Sequence, residues 1–266
     1  MITDADIQAW MGDTAERLMP CQRVLDVGAR DGSSSQPYAG VGRSVIALDI
    51  EPAGLKRGIE KGHIRPGHAV VAHGRWLPFP DGIFDLVSSR WFLHEFPEQG
   101  PFLAEMRRVV RAGGWVVGVD FLATNPSVQA FLNRYIFTDE YLRQRTQVLR
   151  PWAEAGLEVK ETNWRVIGLE EDAGELRELG ADWSEIPGAV KAELWLRRKG
   201  NSVFLNVPVV LLVADRGEGG SCTRPGRPQG IASTSGFEYP NGKEVMGVRE
   251  PENTNCKRPK VFDRRG

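Results

Sequence analysis

The sequence predicts an α/β fold: a doubly wound, mainly parallel sheet with helices on both faces. Three observations predict it. Apolar, β-rich runs alternate with stretches of helical spacing through the first half of the chain. The run Arg23 to Val27 breaks into a glycine turn, Gly28-Ala29-Arg30-Asp31-Gly32, and then into Ser33, Ser34 and Ser35. Polar and glycine positions recur where successive runs end, at Asp26–Gly32, Asp49, His73–Trp76 and Ser88–His94. Open α/β sheets bind ligands outside the carboxyl ends of their strands, so these positions are expected to share one functional face.

Taken in order, Ile7, Trp10, Met11, Ala15 and Leu18 fall at helical spacings and predict a leading amphipathic helix. Arg23 to Val27 reads as a strand buried on both faces. Serine is a favoured N-cap, so Ser33, Ser34 and Ser35 are expected to open a short helix, limited by Pro37 and Gly40. Ser44 to Asp49 is the second strand. Pro52 to Lys61 is a helix with proline in its first turn, where it is tolerated. His68 to Ala72 is the third strand, Leu77 to Gly82 a turn by its Pro, Asp and Gly, and Ile83 to Ser89 the fourth strand. Phe102 to Val110 is helical, Gly113-Gly114 is expected to stop it, and Trp115 to Phe121 is the fifth strand.

Beyond Phe121 the pattern loosens. Val128 to Ile136 and Asp139 to Ala155 read as helices and Gly156 to Val166 as a strand. Glu171 to Leu179 and Val190 to Arg198 read as helices, and Val203 to Ala214 as a strongly apolar final strand. The stretch 170–200 is longer than a hairpin turn needs. It is read as a cover over the pocket, a contact within a homodimer, or a plain surface excursion. From Arg216 glycine and proline crowd together and apolar residues thin out, so residues 216–266 are expected to form a tail without a core of its own. The domain is therefore placed at 1–215.

With 41% hydrophobic residues and a net charge of -1, the chain of 266 residues has the composition of a soluble globular protein. It holds no apolar run of about 18 residues, so no membrane span is expected. The acidic start, Met1 to Asp6, has no apolar signal core, and a cytoplasmic location is expected. Near-zero net charge argues against a nucleic-acid binder that works by broad electrostatics. Cys21, Cys222 and Cys256 lie too far apart for a zinc or disulfide framework, and His63 and His68 have no metal-ligand spacing. No metal is expected.

Spacing separates the cofactors that a glycine turn could serve. The dinucleotide fingerprint G-x-G-x-x-G fails, because Arg30 and Ser33 hold its second and third glycine positions. An acid on the strand, then G-x-G-x-G, then an acid closing the next strand fits at Asp26, Gly28, Gly32 and Asp49, with Arg30 the exception. This resembles the glycine-rich motif of class I methyltransferases, which use S-adenosylmethionine. His73 to Val87, with Leu77-Pro78-Phe79-Pro80-Asp81-Gly82 and Phe84-Asp85, resembles a stretch of the type 11, ubiquinone-biosynthesis-like members. Leu93-His94 and Glu105 to Gly114 resemble two further motifs of that family, so the likeness spans Arg23 to Phe121.

The resemblance implies a seven-stranded Rossmann-like sheet and a set of roles. Asp26, Gly28, Ala29 and Gly32 would line the methionine end of the cofactor, Asp49 would accept from both ribose hydroxyls, and Ile50 would pack on the adenine. Ser88 and Ser89 would border the methionine and acceptor space, and His94 is the candidate general base, with a packed, hydrogen-bonded histidine as its plainer reading. His73, beside Gly74, stands where the family has an acid for the adenine amino group. A neutral imidazole nitrogen can accept that bond and a protonated one cannot, so cofactor affinity is expected to weaken on acidification. If the Arg30 position needs a positive φ, a residue other than glycine costs about 1–2 kcal/mol there.

The activity implied is methyl transfer to a nucleophilic O, N or C of a small molecule. Two alternatives stay open: a binding or regulatory protein that kept the fold and lost turnover, and an RNA-directed methyltransferase anchored by the basic tail. No N-P-P-Y-like tetrapeptide and no cysteine in the pocket-forming region favour nucleic-acid chemistry.

Overall fold

Arg23–Val27 (β1), Ser44–Asp49 (β2), Ala69–Val71 (β3), Phe84–Arg90 (β4) and Val110–Ala123 (β5) run parallel, in the spatial order β3-β2-β1-β4-β5. The computed structural model describes residues 3–18, 21–40, 43–138 and 140–217. The tail expected over 216–266 therefore lies outside the described residues except for Arg216 and Gly217, as do Cys222 and Cys256. Glu158–Asp172 (β7) and Ser202–Asp215 (β9) complete the sheet in the order β5-β9-β7, with β9 antiparallel to both neighbours. This path has the expected seven strands. Two short strands are added at its side, Arg143–Gln144 (β6) on β5 and Arg197–Lys199 (β8) on β9.

Alternation along the central strands builds two cores, because successive side chains face opposite sides of a sheet. Val24, Leu86 and Val117 face one side, where Asp4–Arg17 (α1) buries Ile7, Met11 and Ala15. Leu25, Val27 and Val87 face the other, against Phe102, Leu103 and Met106 of Gly100–Val109 (α3). All of β4 is buried, as a central parallel strand should be. A capping box starts α1: the Asp6 amide donates to Thr3 Oγ1 at 3.3 Å, and the Thr3 amide to Asp6 Oδ2 at 2.7 Å. Pro52–Glu60 (α2) and Pro126–Tyr135 (α4) lie close to their expected bounds.

Four expectations are corrected. Gly113 and Gly114 do not stop α3. The helix ends at Val109, Val110 already pairs with Phe84, and the glycines lie where the β4–β5 register shifts. A Cβ on Gly114 would come 2.8 Å from the Asp85 carbonyl oxygen, the mark of a close backbone approach at a bulge. The helix expected over Asp139–Ala155 shrinks to Arg150–Glu154 (α5), because Arg143–Gln144 pairs with Leu122–Ala123 at the end of β5. The helix expected over Val190–Arg198 is Gly188–Glu193 (α7); Trp195 turns to φ 49 and β8 joins the sheet.

Strand β7 also outruns its expected end, pairing from Val166↔Pro208 to Asp172↔Ser202. β5 reaches only Val209–Asp215 of β9, so the far half is an arm of β7 and β9, joined at its tip by β8. Ala173–Glu178 (α6), α7 and β8 fill the connection, and Leu176, Val190 and Leu194 pack into the core below.

Two sequence motifs meet in a buried clamp. Arg108 of α3 donates from Nε and Nη2 to Glu105 at 2.6 and 2.8 Å, and to the carbonyls of Leu77 and Phe79 at 3.0 and 2.8 Å. The Glu105 carboxylate accepts the Leu77 amide at 2.8 Å, and Arg108 also reaches Asp81 at 2.7 Å. Removing one partner of a buried ion pair strands the other. Arg108→Met is therefore expected to lower the unfolding free energy by about 3–5 kcal/mol, read from the denaturant midpoint.

Candidate active site

The turn after β1 is pinned to β2 by its own amides, with Gly28 N–H and Ala29 N–H both donating to the Leu48 carbonyl at 2.9 and 3.0 Å. Gly28 and Gly32 have φ 76 and 75, and a Cβ on Gly32 would meet Ile64 at 2.3 Å, so glycine is required there. Arg30 has φ 51, the left-handed backbone its position was expected to need. Its amide donates to Asp49 Oδ2 at 2.7 Å, which offsets part of that cost, and the residue is exposed.

Asp26 is wholly buried beneath this turn. Its Oδ2 accepts from Ser34 Oγ at 2.6 Å and Ser35 Oγ at 2.7 Å, and its Oδ1 from Ser88 Oγ at 3.0 Å. Burial pushes its pKa up, while the serine hydroxyls pull it back. This corrects one expectation. The serines do not cap an α-helix: Ser33–Tyr38 is a 3-10 helix whose N-cap is Gly32, with no side-chain cap bond. The hydroxyls of Ser34 and Ser35 turn inward to the carboxylate instead. Asp26 thus has no exposed face, and its bonds tie the turn to β4. Arg90, also buried, ties in the first helix, donating from Nη1 to Asp4 at 2.9 Å and from Nη2 to Ser33 Oγ at 3.0 Å. The serine triplet next to a strand acid was the available signal for this network. Arg90 and Asp4 gave none.

The acid closing β2 is placed otherwise. Asp49 is partly exposed, and its oxygens each take one backbone N–H, from Arg30 at 2.7 Å and Glu51 at 2.9 Å. The Ile50 N–H also acts on this carboxylate; two oxygens with two lone pairs each still leave it accepting capacity for a ligand. Burial raises the Asp49 pKa against the pull of those N–H groups. Ile50 beside it is 63% exposed, an apolar plate at the edge of the cleft.

His73 is half-buried at the start of the loop after β3, and Gly74 beside it is buried. Nδ1 of His73 accepts the Arg75 amide at 3.1 Å. A neutral imidazole with Nδ1 accepting carries its proton on Nε2, so the free nitrogen is a donor. The acceptor expected for an adenine amino group is absent from this ring. Burial, then the Arg75 charge, lower its pKa, so it stays neutral below the usual histidine range.

Ser88 and Ser89 are buried at the end of β4, Ser88 on Asp26 and Ser89 in register with Val27 and Gly118. Trp91 follows at φ 54, stacked on Phe121 at 4.0 Å. A bulky side chain in that backbone region is a strained element, costing of order 1–3 kcal/mol, of a kind that clusters at functional sites. The Phe92 ring lies on the glycine turn: a Cβ on Gly28 would meet it at 2.4 Å, and one on Gly74 at 2.9 Å. No spacing rule singled out Phe92.

His94 is buried between two carboxylates. Nδ1 is hydrogen-bonded to Asp120, and Nε2 forms an ion pair with Glu140 at 2.9 Å. Burial alone would lower its pKa, but Asp120 and Glu140 together raise it to about 10. At neutral pH the ring is an imidazolium with both nitrogens engaged. It has no lone pair to take a proton while Glu140 stays in place, which corrects the general-base expectation for this state. Asp120 and Glu140, far apart in sequence, carried no spacing signal.

Parallel strands in the order β3-β2-β1-β4-β5 followed by an antiparallel β9 and β7, with a glycine turn at the tip of β1, define a class I methyltransferase-type fold. Residues 25–118 match the model of a methyltransferase domain family. A demethylmenaquinone methyltransferase of Renibacterium salmoninarum is 39% identical over 126 residues, which are 47% of this chain and 50% of that protein. The chain thus spans about half the length of the curated relatives it matches. Among solved structures, a Bacillus halodurans C-125 protein superposes with TM-score 0.67 at 19% identity, over 79% of this chain and 99% of that one. Geranyl diphosphate C-methyltransferase from Streptomyces coelicolor A3(2), in complex with S-adenosyl-L-homocysteine, gives TM-score 0.54 at 18% identity, over 80% and 79%.

Asp26→Asn is expected to weaken the turn, because at least one serine hydroxyl loses its charged acceptor, at a cost of about 1–3 kcal/mol. An acid whose folded pKa is raised adds most stability below its unfolded pKa and loses it as pH rises through the folded value. The stability gap between wild type and Asp26→Asn should therefore widen on acidification, as read by denaturant unfolding at neutral and mildly acidic pH.

Proposed function

We propose that this protein transfers a methyl group from S-adenosylmethionine to a small-molecule acceptor. The observation that carries the proposal is Asp49, a half-buried carboxylate at a strand tip with accepting capacity left over from its backbone N–H partners, beside the exposed Ile50. That donor set suits the vicinal hydroxyls of a ribose and the face of an adenine. The methionine end would run along Gly28 and Gly32, with Asp26 and its serines holding the turn from below. Phe92 must rotate off Gly28 to admit it.

The cofactor supplies an electrophilic methyl group on a cationic sulfur. The chain's own part is positioning and exclusion of water. Holding two reactants in line can contribute roughly 7–11 kcal/mol, and Trp91, Phe92, Phe96 and Phe121 make an aromatic wall around that line. The acceptor would be a compact, largely apolar molecule with a proton-bearing O, N or C near His94. A quinone-like ring fits that description, and the Renibacterium relative is named for demethylmenaquinone. A second reading, a binding protein with little turnover, draws on Phe92 covering Gly28.

Calorimetry with S-adenosylmethionine and S-adenosylhomocysteine tests the proposal. Both are expected to bind, and Asp49→Ala should weaken both about tenfold or more, equivalent to 1.4 kcal/mol. Binding followed by a mass gain in demethylmenaquinone, offered oxidised and reduced, supports methyl transfer. Binding without product from any offered acceptor favours the second reading, and no binding of either nucleoside sinks both.

A further inference from the structure

We infer that Glu140 is the gate of the acceptor site: its carboxylate holds the Nε2 edge of His94, the edge that a proton-bearing acceptor atom must occupy. The inference rests on the methyl-transfer reading for its purpose, and on the His94 environment for its substance.

The two carboxylates on the ring are held very differently. Asp120 sits within β5, its side chain largely buried, and its Oδ1 also accepts the Phe121 amide at 3.0 Å. Leaving would break strand geometry as well as the bond to Nδ1. Glu140 lies on the segment between α4 and β6, with its side chain 28% exposed. Its Oε2, itself buried, has His94 Nε2 as its one partner among the described residues. Glu140 is therefore the partner that can leave. The backbone around it is held independently, since Tyr141 N–H donates to the His94 carbonyl at 2.5 Å and Gln129 Nε2 to the Leu142 carbonyl. A side-chain swing needs no refolding of the segment.

The other charges facing His94 set the direction of the effect. Asp120 faces it from β5, Glu140 from the segment before β6, and Glu95 from its own 3-10 turn, Leu93–Glu95. Arg143 of β6 lines the same small cavity and opposes protonation of the ring; its buried Nε has no hydrogen-bond partner among the described residues. Asp49, at the tip of β2, acts on Glu95 from the cofactor side. A nearby carboxylate favours the charged imidazolium. Withdrawing Glu140 while Asp120 stays brings the ring towards the range where histidine exchanges protons near neutral pH.

The proton balance is closed. With Glu140 swung away as a carboxylate, Nε2 gives its proton to solvent, leaving neutral His94 oriented by Asp120 through Nδ1. The acceptor's electron pair forms the bond to the methyl carbon, and the carbon–sulfur bond breaks to leave a neutral thioether. The acceptor's proton passes to Nε2. Water entering without an acceptor would find Glu140 in place and His94 unable to act as a base.

The test is a side-chain nitrogen NMR titration of His94 in the full chain, without cofactor or acceptor. Wild type is expected to keep both ring nitrogens protonated beyond pH 9, given its pKa of about 10. In E140Q the midpoint should fall by about one pH unit or more, a tenfold change in the protonation equilibrium. E140D, whose carboxylate is a methylene short of Nε2, should fall in between, and it serves if E140Q does not fold. An unchanged His94 midpoint in a folded Glu140 variant overturns the gate. Because this titration uses no nucleoside, failed cofactor binding by wild type would count against the methyl-transfer reading alone.

Discussion

A single carboxylate without access to solvent holds this molecule's functional edge together. Asp26, at the tip of the central strand, is shared by Ser34 and Ser35 from the turn beyond it and by Ser88 from the neighbouring strand. An ionised group is very costly to bury unless its oxygens are satisfied, so the fold is constrained to bring those three hydroxyls together. Doing so fixes the path of the Gly28–Gly32 turn over β1. Through Ser33 and Arg90, the same network fastens α1 to the sheet.

The three ionisable groups at the strand ends divide the work by how completely each is satisfied. Asp26 is wholly buried and holds three serine hydroxyls. Asp49 takes backbone N–H groups alone and keeps accepting capacity. His94 is saturated in this state, yet one of its two partners is loosely held. Strain and cover are concentrated at the same place, with Trp91 in left-handed backbone and Phe92 lying across Gly28.

Several motifs became intelligible only as pairs. Leu77–Asp81 and Glu105–Arg108 looked like separate turn and helix signals, but Arg108 joins them in a buried clamp. Asp85 likewise sits at the foot of β4 and accepts the amides of Gln22 and Arg23 at the start of β1. Gly113-Gly114 carried the local signature of a helix stop, while the shifted register of two parallel strands used it as a bulge. Arg143–Gln144 had helical neighbours, but the end of β5 offered an unpaired edge and took those residues as a strand.

What the sequence by itself determined was the order of the elements, the bounds of β1 and β2, the glycine turn, and the position of Asp49 at a strand tip. Each of these follows from periodicity, turn chemistry or a backbone angle, which are local properties of a few neighbouring residues. Tertiary structure alone decided that Asp26 would be buried under serines and that His73 would spend its acceptor on Arg75. It also decided that His94 would be charged between Asp120 and Glu140, and that Phe92 would lie on Gly28. Protonation state, free lone pairs and access depend on which distant groups are packed within a few ångströms, and no spacing along the chain encodes that.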